Sequence, residues 1–203
     1  MPHLADLLTD HLLRRPRGRI ARRMWRDMKA HHEMFRDTLG ALKLDPADRL
    51  LEIGCGGGTF VQWALESGCH ATAVDHSADM VQLSAKNNAD AVRSGRLEVI
   101  NAQAEALPLP DEQFSCAAMT NAFFFLDAPR ALAELRRVLA PGGRIVIHTL
   151  APNPPASVAP PPVARRMRLY PDDELVALLD AAGFTESKVT RIGDCFQLLT
   201  ATR

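Results

Sequence analysis

The sequence predicts an α/β protein whose central sheet is mostly parallel, and three observations support this class. Short apolar runs of strand length alternate with longer segments of helical pattern. A cluster of glycines joins the first of these runs to the next helical segment, as at a tight strand–helix turn. The chain closes with two strand-like runs around Ile192-Gly193-Asp194, which is typical of a hairpin. The expected fold is a doubly wound sheet of seven strands that ends in an antiparallel pair.

The individual elements follow from apolar spacing, taken in chain order. Residues 20–42 carry apolar side chains every three or four positions, which predicts one amphipathic helix that Asp45-Pro46 ends. The first four strands are predicted at the apolar runs RLLEI, HATAVD, LEVINA and FSCAAMTNAFFF. Ser77 is a favourable N-cap for the helix after the second strand, and Pro129 begins the helix after the fourth. RIVIHTL follows the Pro141-Gly142-Gly143 turn as the fifth strand.

The whole chain is interpreted as one domain with four parts. These are an N-terminal helical cap (1–45), a sheet core (46–150), a proline-rich connection (151–170) and a C-terminal helix with its strand pair (171–203). Six of the twelve residues in 151–162 are proline, which disfavours regular structure there. Two interpretations of this connection stay open, a surface linker and a lid over a pocket.

Composition excludes several classes of function. Formal net charge is zero, with 24 basic and 24 acidic residues, so whole-chain charge gives no argument for a nucleic acid partner. The first ten residues carry acids where a signal peptide carries bases, and no apolar run has the length of a membrane span. No group of histidine, cysteine and carboxylate residues has metal-ligand spacing, so no metal site is predicted. We therefore expect a cytoplasmic protein with reduced thiols.

One local charge feature departs from this balance. Seven arginines fall between Arg14 and Arg26 with no acid until Asp27. A solvated helix face is one explanation. Contact with an anionic substrate, a lipid surface or RNA is the other, although no aromatic-rich strand accompanies the run as an RNA surface would require.

The segment LLEIGCGGGT raises the question of what lies so close to the backbone that side chains are excluded. Gly54, Gly56 and Gly58 give G-x-G-x-G, whereas the dinucleotide fingerprint G-x-G-x-x-G needs a glycine at Thr59. Without Cβ atoms a ligand can approach the peptide chain, and the amides at the start of the helix can donate to an anionic group. A tight turn with no ligand is the alternative.

Two acids flank these glycines. Glu52 lies two residues before the first glycine, and Asp75 ends the next strand. An acid in the second position can accept hydrogen bonds from both ribose hydroxyls and repels a 2′-phosphate. The pattern therefore predicts a ligand with a free ribose, and it does not require a pyrophosphate.

Four motifs in this order resemble the class I S-adenosylmethionine-dependent methyltransferases: E-x-G-x-G-x-G, AVDHSADMV, AQAEALPLPDEQF and ELRRVLAPGGRIVI. The resemblance spans about Leu50 to Ile147 and is closest to small bacterial members that act on small molecules. It implies a Rossmann-like sheet, S-adenosylmethionine as cofactor with S-adenosylhomocysteine as product, and a small-molecule acceptor methylated on oxygen, nitrogen or carbon. The short segment after strand five suggests an open pocket or one completed by a second subunit, hence a monomer or a homodimer.

The same resemblance assigns cofactor contacts to ten residues: Glu52, Gly54, Cys55, Gly56, Asp75, His76, Met80, Gln103, Ala104 and Asn121. It implies that the glycine loop holds the amino acid end of the cofactor and that Asp75 holds the ribose. Met80 would pack near the adenine, with a plain helix-core position as the alternative. Gln103 stands where the family usually has an acid for the adenine amino group, and its amide oxygen can accept the same hydrogen bond.

Catalytic candidates are few, because positioning can carry much of the rate of methyl transfer. His148 follows the core of strand five and would reach the pocket mouth, or it is only a polar strand end. His31 lies on the apolar stripe of the N-terminal helix and would face the body of the protein, where simple packing is one role. The family resemblance implies that this helix covers the cofactor, which keeps His31 a catalytic candidate. Tyr170, the only tyrosine, is a third candidate for the substrate side.

Two other functions stay open at this point. A non-catalytic relative would keep the fold and bind the cofactor as a regulatory ligand, or bind nothing. A nicotinamide-dependent oxidoreductase is disfavoured by the missing third glycine.

Overall fold

A computed structural model describes residues 16–203, which form helices around one sheet of seven strands. The strands are β1 Arg49–Ile53, β2 His70–Asp75, β3 Leu97–Asn101, β4 Phe114–Thr120, β5 Leu139–Leu150, β6 Thr185–Ile192 and β7 Phe196–Thr202. Their order across the sheet is β3-β2-β1-β4-β5-β7-β6. Strand β7 is antiparallel to β5 and β6, and the other neighbours are parallel. The predicted fold class, with its C-terminal antiparallel hairpin, is confirmed. Of the predicted N-terminal helical cap (1–45), residues 16–45 carry two helices, and residues 1–15, with Arg14 and Arg15, lie outside the described residues.

The described residues form eight α-helices: α1 Gly18–Met24, α2 His32–Leu42, α3 Thr59–Ala64, α4 Ala78–Asn87, α5 Ala89–Arg93, α6 Ala128–Val138, α7 Pro161–Ala164 and α8 Asp172–Ala181. Short 3₁₀ turns cover Lys29–His31, Leu65–Ser67 and Phe123–Phe125. Ser77 caps α4 as predicted, because its hydroxyl accepts from the Met80 amide. None of these helices is both long and apolar enough to cross a membrane.

The sheet has an apolar core on each face, because successive residues of a strand point to opposite sides. On one face, Leu51 and Ile53 of β1 belong to a buried cluster with residues of α6 and α8. On the other, Leu50 belongs to a cluster with residues of α2 and α3. This double burial explains why the central strands are almost entirely apolar.

The prediction of one helix over residues 20–42 is wrong. Helix α1 ends at Met24, and α2 begins only at His32. Between them the chain turns over the glycine loop, where a Cβ atom on Gly57 would lie 1.8 Å from the Trp25 carbonyl oxygen. The Asn87 side-chain amide donates to the Arg26 carbonyl at 3.3 Å and secures the turn. Contact with the loop thus overrides the helical periodicity.

Two further boundaries differ from the predictions. Strand β4 ends at Thr120 and not at Phe125, because Asn121 adopts a left-handed conformation with φ of 60°. The helix expected to reach Val92 is interrupted at Asn88, whose side-chain amide donates to the Gly58 carbonyl at 3.1 Å. In both cases a polar side chain at a turn stops a pattern that apolar spacing alone would continue.

The proline-rich connection and the start of β5 also differ in detail. The prolines do not prevent a short helix, since α7 begins at Pro161, where the missing amide costs nothing. Strand β5 starts at Leu139, before the predicted turn, and its parallel register with β4 shifts between Phe114 and Cys116. The expected turn at residues 141–143 is therefore an irregularity inside a longer strand.

Candidate active site

A cavity of about 600 Å³ lies at the carboxyl ends of β1, β2 and β4. The strand order changes direction between β1 and β4, which is where open α/β sheets bind ligands. Two segments complete the walls: residues 16–34, which we call the roof, and residues 150–167. The volume falls in the usual range for small-molecule sites.

The structure brings eight of the predicted site residues together in the wall of this cavity: Gly54, Gly56, Asp75, His76, Gln103, Ala104, Asn121 and His31. The first six end or follow the adjacent strands β1, β2 and β3, and we call this part of the wall the loop side. Motifs that lie far apart in the chain meet here because parallel strands end at the same sheet edge. Their cofactor roles stay predictions.

Gly54 and Gly56 of the glycine loop line the cavity, and neighbouring residues of the protein also pack closely on them. A Cβ atom on Gly56 would lie 2.9 Å from the Trp25 ring, and one on Gly54 would lie 2.9 Å from the Ala122 Cβ. Both glycines also have positive φ, of 76° at Gly54 and 51° at Gly56, which disfavours other residues. Trp25, a residue that motif analysis missed, therefore holds the roof on the loop.

Asp75 connects the glycine loop to the start of α4. Its carboxylate accepts hydrogen bonds from the amides of Gly56 at 3.0 Å and Ser77 at 2.8 Å. Burial raises the pKa of Asp75, while these two amides and His76, whose Nδ1 lies 3.6 Å from Oδ1, act in the opposite direction. Each carboxylate oxygen has a second lone pair, so Asp75 can still accept hydrogen bonds from a ligand in the cavity.

Three of the predicted cofactor residues do not line the cavity: Glu52, Cys55 and Met80. Glu52 is buried, and burial together with the nearby Asp75 charge raises its pKa to about 8. Its Oε2 has no hydrogen-bond partner in the described part of the chain. Met80 is fully buried, which agrees with the helix-core alternative. The Cys55 amide donates to the Val74 carbonyl at 3.0 Å, so this residue shapes the loop from behind.

His31 and Asn121 form a polar pair where the roof meets the end of β4. His31 Nε2 lies 3.1 Å from Asn121 Nδ2, and Asn121 Oδ1 is buried with no hydrogen-bond partner in residues 16–203. Burial, and then the neighbouring His32, lower the pKa of His31 to about 4. Its ring is held edge-on by Trp25 and Phe35, each 6.0 Å away between centroids. The pair thus offers the cavity a neutral imidazole and one unpaired amide atom.

His148 and Tyr170 do not line the cavity. The His148 side chain is fully buried, with its ring centroid 5.4 Å from that of Phe196, which does line the cavity. Burial, and then the proximity of His31, lower the pKa of His148 to about 4. Tyr170 packs against Phe123 at 6.1 Å. In this arrangement His148 is enclosed by the core, whereas Tyr170 is half-buried at its edge.

Another part of the wall, which we call the apolar side, is made of apolar side chains. It consists of Phe124, Phe125, Leu150, Val158, Val163, Met167 and Phe196. These residues come from the 3₁₀ turn after β4, the end of β5, the proline-rich connection and the start of β7. Sequence analysis missed them because no single motif or period contains them, although the run of three phenylalanines was a visible signal.

The cavity can therefore hold a polar molecule on its loop side and an apolar one opposite. In the described part of the chain, no three histidine, cysteine, aspartate or glutamate side chains are grouped as metal ligands would be.

Comparison with known proteins identifies the family. A family model described as a methyltransferase domain matches residues 51–147. The chain is 30% identical over 202 residues to the O-methyltransferase cnsE of Penicillium expansum, an alignment that covers 93% of this chain and 71% of that protein. The chain belongs to the class I S-adenosylmethionine-dependent methyltransferase family.

Other similar proteins are more distant or considerably longer. The malonyl-[acyl-carrier protein] O-methyltransferase of Erwinia billingiae is 38% identical over 105 residues, which cover 51% of this chain and 39% of that protein. The chain thus spans about two fifths of the length of this curated relative. A solved S-adenosylmethionine-dependent methyltransferase from Aquifex aeolicus matches with a TM-score of 0.72 and 20% identity, covering 89% of this chain and 96% of that one. At this identity the likeness shows the fold alone.

Proposed function

We propose that this protein transfers a methyl group from S-adenosylmethionine to a hydroxyl oxygen of a small, uncharged and largely apolar molecule. The observation that carries the proposal is that one cavity is lined by Asp75, the glycine loop, the His31–Asn121 pair and the apolar side. The relatives cnsE and the malonyl-[acyl-carrier protein] enzyme are both named O-methyltransferases. Transfer to nitrogen or carbon is the alternative.

The loop side fits S-adenosylmethionine by the chemistry of its groups. Asp75 is a buried carboxylate with free lone pairs for two ribose hydroxyls. Gln103 and Ala104 also line the cavity and would contact the adenine, and the glycine loop would hold the amino acid end. The unpaired Asn121 Oδ1 is a buried polar atom that a ligand can satisfy. The bound cofactor supplies a methyl group already activated by a sulfonium charge.

The roof contributes by positioning the acceptor and excluding water. Trp25, Met28 and Met34 line the cavity from above, and Trp25 packs directly on the glycine loop. Holding the nucleophile in one orientation removes much of the entropic barrier to transfer. Apolar side chains around the acceptor would also keep water from competing as a nucleophile.

His31 is the group placed to receive the acceptor proton. With a pKa of about 4, its imidazole is neutral near pH 7, and the Nε2 lone pair, which accepts from the Asn121 amide at 3.1 Å, would receive the proton once an acceptor hydroxyl takes the place of that donor. The same low pKa makes it a weak base, so it can assist an acidic hydroxyl better than an aliphatic one. We therefore infer that a phenol or an enol is a better acceptor than an alkyl alcohol.

The apolar side sets the second requirement on the acceptor. A charged group placed among Phe124, Leu150 and Phe196 would lose its hydration with no partner in return. An uncharged aromatic or aliphatic body would instead gain from burial. Carboxylic acids and ammonium compounds are thus expected to be poor acceptors.

The test is transfer of a labelled methyl group from S-adenosylmethionine to a panel of uncharged phenols, alkyl alcohols, amines and carboxylic acids. We expect transfer to phenolic oxygen. The rate of transfer should be lower in His31→Gln, and an inhibitor such as sinefungin that competes with S-adenosylmethionine for the cofactor site should abolish it. Transfer only to amine nitrogen or to carbon would contradict the oxygen assignment. Cofactor binding with no transfer to any member of the panel would favour a non-catalytic relative.

A further inference from the structure

A second depression lies on the outside of the roof, between α1 and α4. It is a cleft of about 530 Å³ lined by Arg19, Ile20, Arg22, Arg23, Arg26, Gln82, Leu83 and Lys86. Five of these eight residues are cationic and none is acidic. Since the whole chain has a formal net charge of zero, this is a local concentration of positive charge.

Most of this charge is not neutralised within the described residues. Arg22 forms an ion pair with Asp79 at 3.2 Å. Arg19, Arg23, Arg26 and Lys86 make no ion pair within residues 16–203. Unpaired arginines grouped around a cleft attract a surface that carries several negative charges.

Apolar side chains stand exposed beside the arginines. Ile20 is 74% exposed and Met24 is 36% exposed. At about 100° per helical residue, these two form a stripe next to the arginine stripe, while Ala21 faces inward and is fully buried. Helix α1 therefore presents a cationic stripe and an aliphatic stripe to the outside, side by side.

The helix that carries these stripes is fastened to α4 at both ends. At its start, the Gly18 amide donates to Asp79 Oδ2 at 2.5 Å, and the Ser77 hydroxyl donates to the Pro16 carbonyl. After its end, the Asn87 side chain donates to the Arg26 carbonyl at 3.3 Å. The surface is thus preformed, and binding to it would not have to order the helix first.

We propose that this face binds the surface of an anionic lipid bilayer, with the arginines and Lys86 on headgroup phosphates and with Ile20 and Met24 in the interface. Aliphatic side chains next to arginines match the layered chemistry of a membrane surface. A single-stranded nucleic acid would instead call for aromatic stacking, and none of the eight residues of the cleft is aromatic. The proposal does not depend on methyl transfer.

Helix α1 belongs to the roof of the cavity, so a membrane bound to this helix would lie close to the cavity. Pro16 precedes α1 and Trp25 follows it, and both line the cavity on the inner side of the roof. A membrane bound to the outer side would therefore lie next to the segment that closes over the acceptor. An apolar acceptor concentrates in lipid, so this placement would put the cavity next to the membrane in which the acceptor accumulates.

The experiment is sedimentation of the full chain with vesicles of neutral phosphatidylcholine, with and without about 30% anionic phosphatidylglycerol. We compare the wild type with Arg19→Glu/Arg23→Glu and with Ile20→Ser. The matched control is Lys43→Glu/Lys188→Glu, which makes the same charge change at exposed residues outside the cleft. Circular dichroism verifies that each variant folds.

The expected result is binding to anionic vesicles only, weakened by added salt. The double arginine variant should bind roughly tenfold or more weakly, Ile20→Ser severalfold more weakly, and the lysine control like the wild type. No binding to anionic vesicles, or equal loss in the lysine control, would overturn the proposal. Binding to heparin or an acidic peptide without binding to vesicles would overturn it as well, in favour of a soluble polyanionic partner.

Discussion

The two walls of the cavity differ in how the chain builds them. The loop side comes from residues that directly follow three adjacent strands, and its key contact joins Asp75 to the Gly56 backbone amide at 3.0 Å. The apolar side is assembled from four separate segments, and its contacts are between side chains such as Phe124 and Phe125, 4.7 Å apart between centroids. One wall therefore depends on backbone geometry and the other on which side chains the segments carry.

This difference implies that the two walls respond to mutation in different ways. Changes on the loop side should alter cofactor affinity and folding together, because the backbone itself forms the wall. Changes on the apolar side should alter the acceptor and leave the cofactor untouched. The following predictions test that separation, from the largest expected effect to the smallest.

Gly57→Ala should produce the largest effect, because its Cβ would lie 1.8 Å from the Trp25 carbonyl oxygen and would force the roof off the loop. We expect a loss of more than about 2 kcal/mol in unfolding free energy in urea, with a parallel loss of cofactor affinity. Gly40→Ala is the control, since a Cβ there meets no atom within 4 Å. It should be neutral or stabilising in helix α2. Equal behaviour of the two variants would show that the roof does not rest on the loop.

Val158→Asp should act on the acceptor alone. It places a carboxylate on the apolar side, and we expect kcat/KM for an uncharged phenol to fall by about tenfold or more. The dissociation constant of S-adenosylhomocysteine should stay within about twofold of the wild type. Val92→Asp is a matched control, because Val92 is 38% exposed and Val158 39%, while only Val158 lines the cavity. A loss of cofactor affinity in Val158→Asp would contradict the separation of the walls.

His31→Gln tests the polar pair between the walls. We expect kcat to fall by about tenfold, a modest effect because a group with a pKa of about 4 is a weak base. For the same reason the wild-type rate should show no break near pH 6.5, the ordinary histidine pKa. A break there that His31→Gln removes would mean that the residue titrates in the working range.

Glu52→Gln tests the buried acid behind the loop. The pKa of Glu52 is raised from 4.5 to about 8, so the folded protein keeps a proton that the unfolded chain releases. Its contribution to stability is present below pH 4.5 and is lost as pH rises towards 8. The unfolding free energy of the wild type should therefore decline more steeply over this window than that of Glu52→Gln, by about 1 kcal/mol or more. Parallel pH profiles would show that Glu52 is ionised in the folded protein.

The sequence predicted the loop side far better than the apolar side, for a physical reason. Strand alternation, the glycines and Asp75 are local signals, because backbone conformation and strand ends are encoded by neighbouring residues. The break after Met24 and the end of β4 at Asn121 depend on contacts with the loop and on a left-handed residue, which apolar spacing does not register. Apolar residues that meet only in the folded chain, such as Val158 and Phe196, carry no spacing that relates them.

The same reason explains why the sequence predicted the position of His31 better than that of His148. The predicted helical stripe would turn His31 towards the protein body, and the structure places His31 in the cavity wall, although in a 3₁₀ turn and not in a helix. His148 lies at the end of β5 that is nearest the cavity, as predicted. Its position in the strand does not indicate, however, whether a neighbouring helix covers its side chain. Its ring is buried beside Phe196 and lies 3.9 Å from Asp37 of α2.

The central claim is that the loop side is a site for S-adenosylmethionine, organised by Asp75. Calorimetry with S-adenosylmethionine, S-adenosylhomocysteine and NADH, on the wild type, Asp75→Ala and the exposed control Asp90→Ala, tests it most directly. The account predicts micromolar binding of both methionine-derived ligands to the wild type and the control, loss of that binding in Asp75→Ala, and no binding of NADH. Binding of NADH, or no binding of either methionine-derived ligand to the folded wild type, would contradict it.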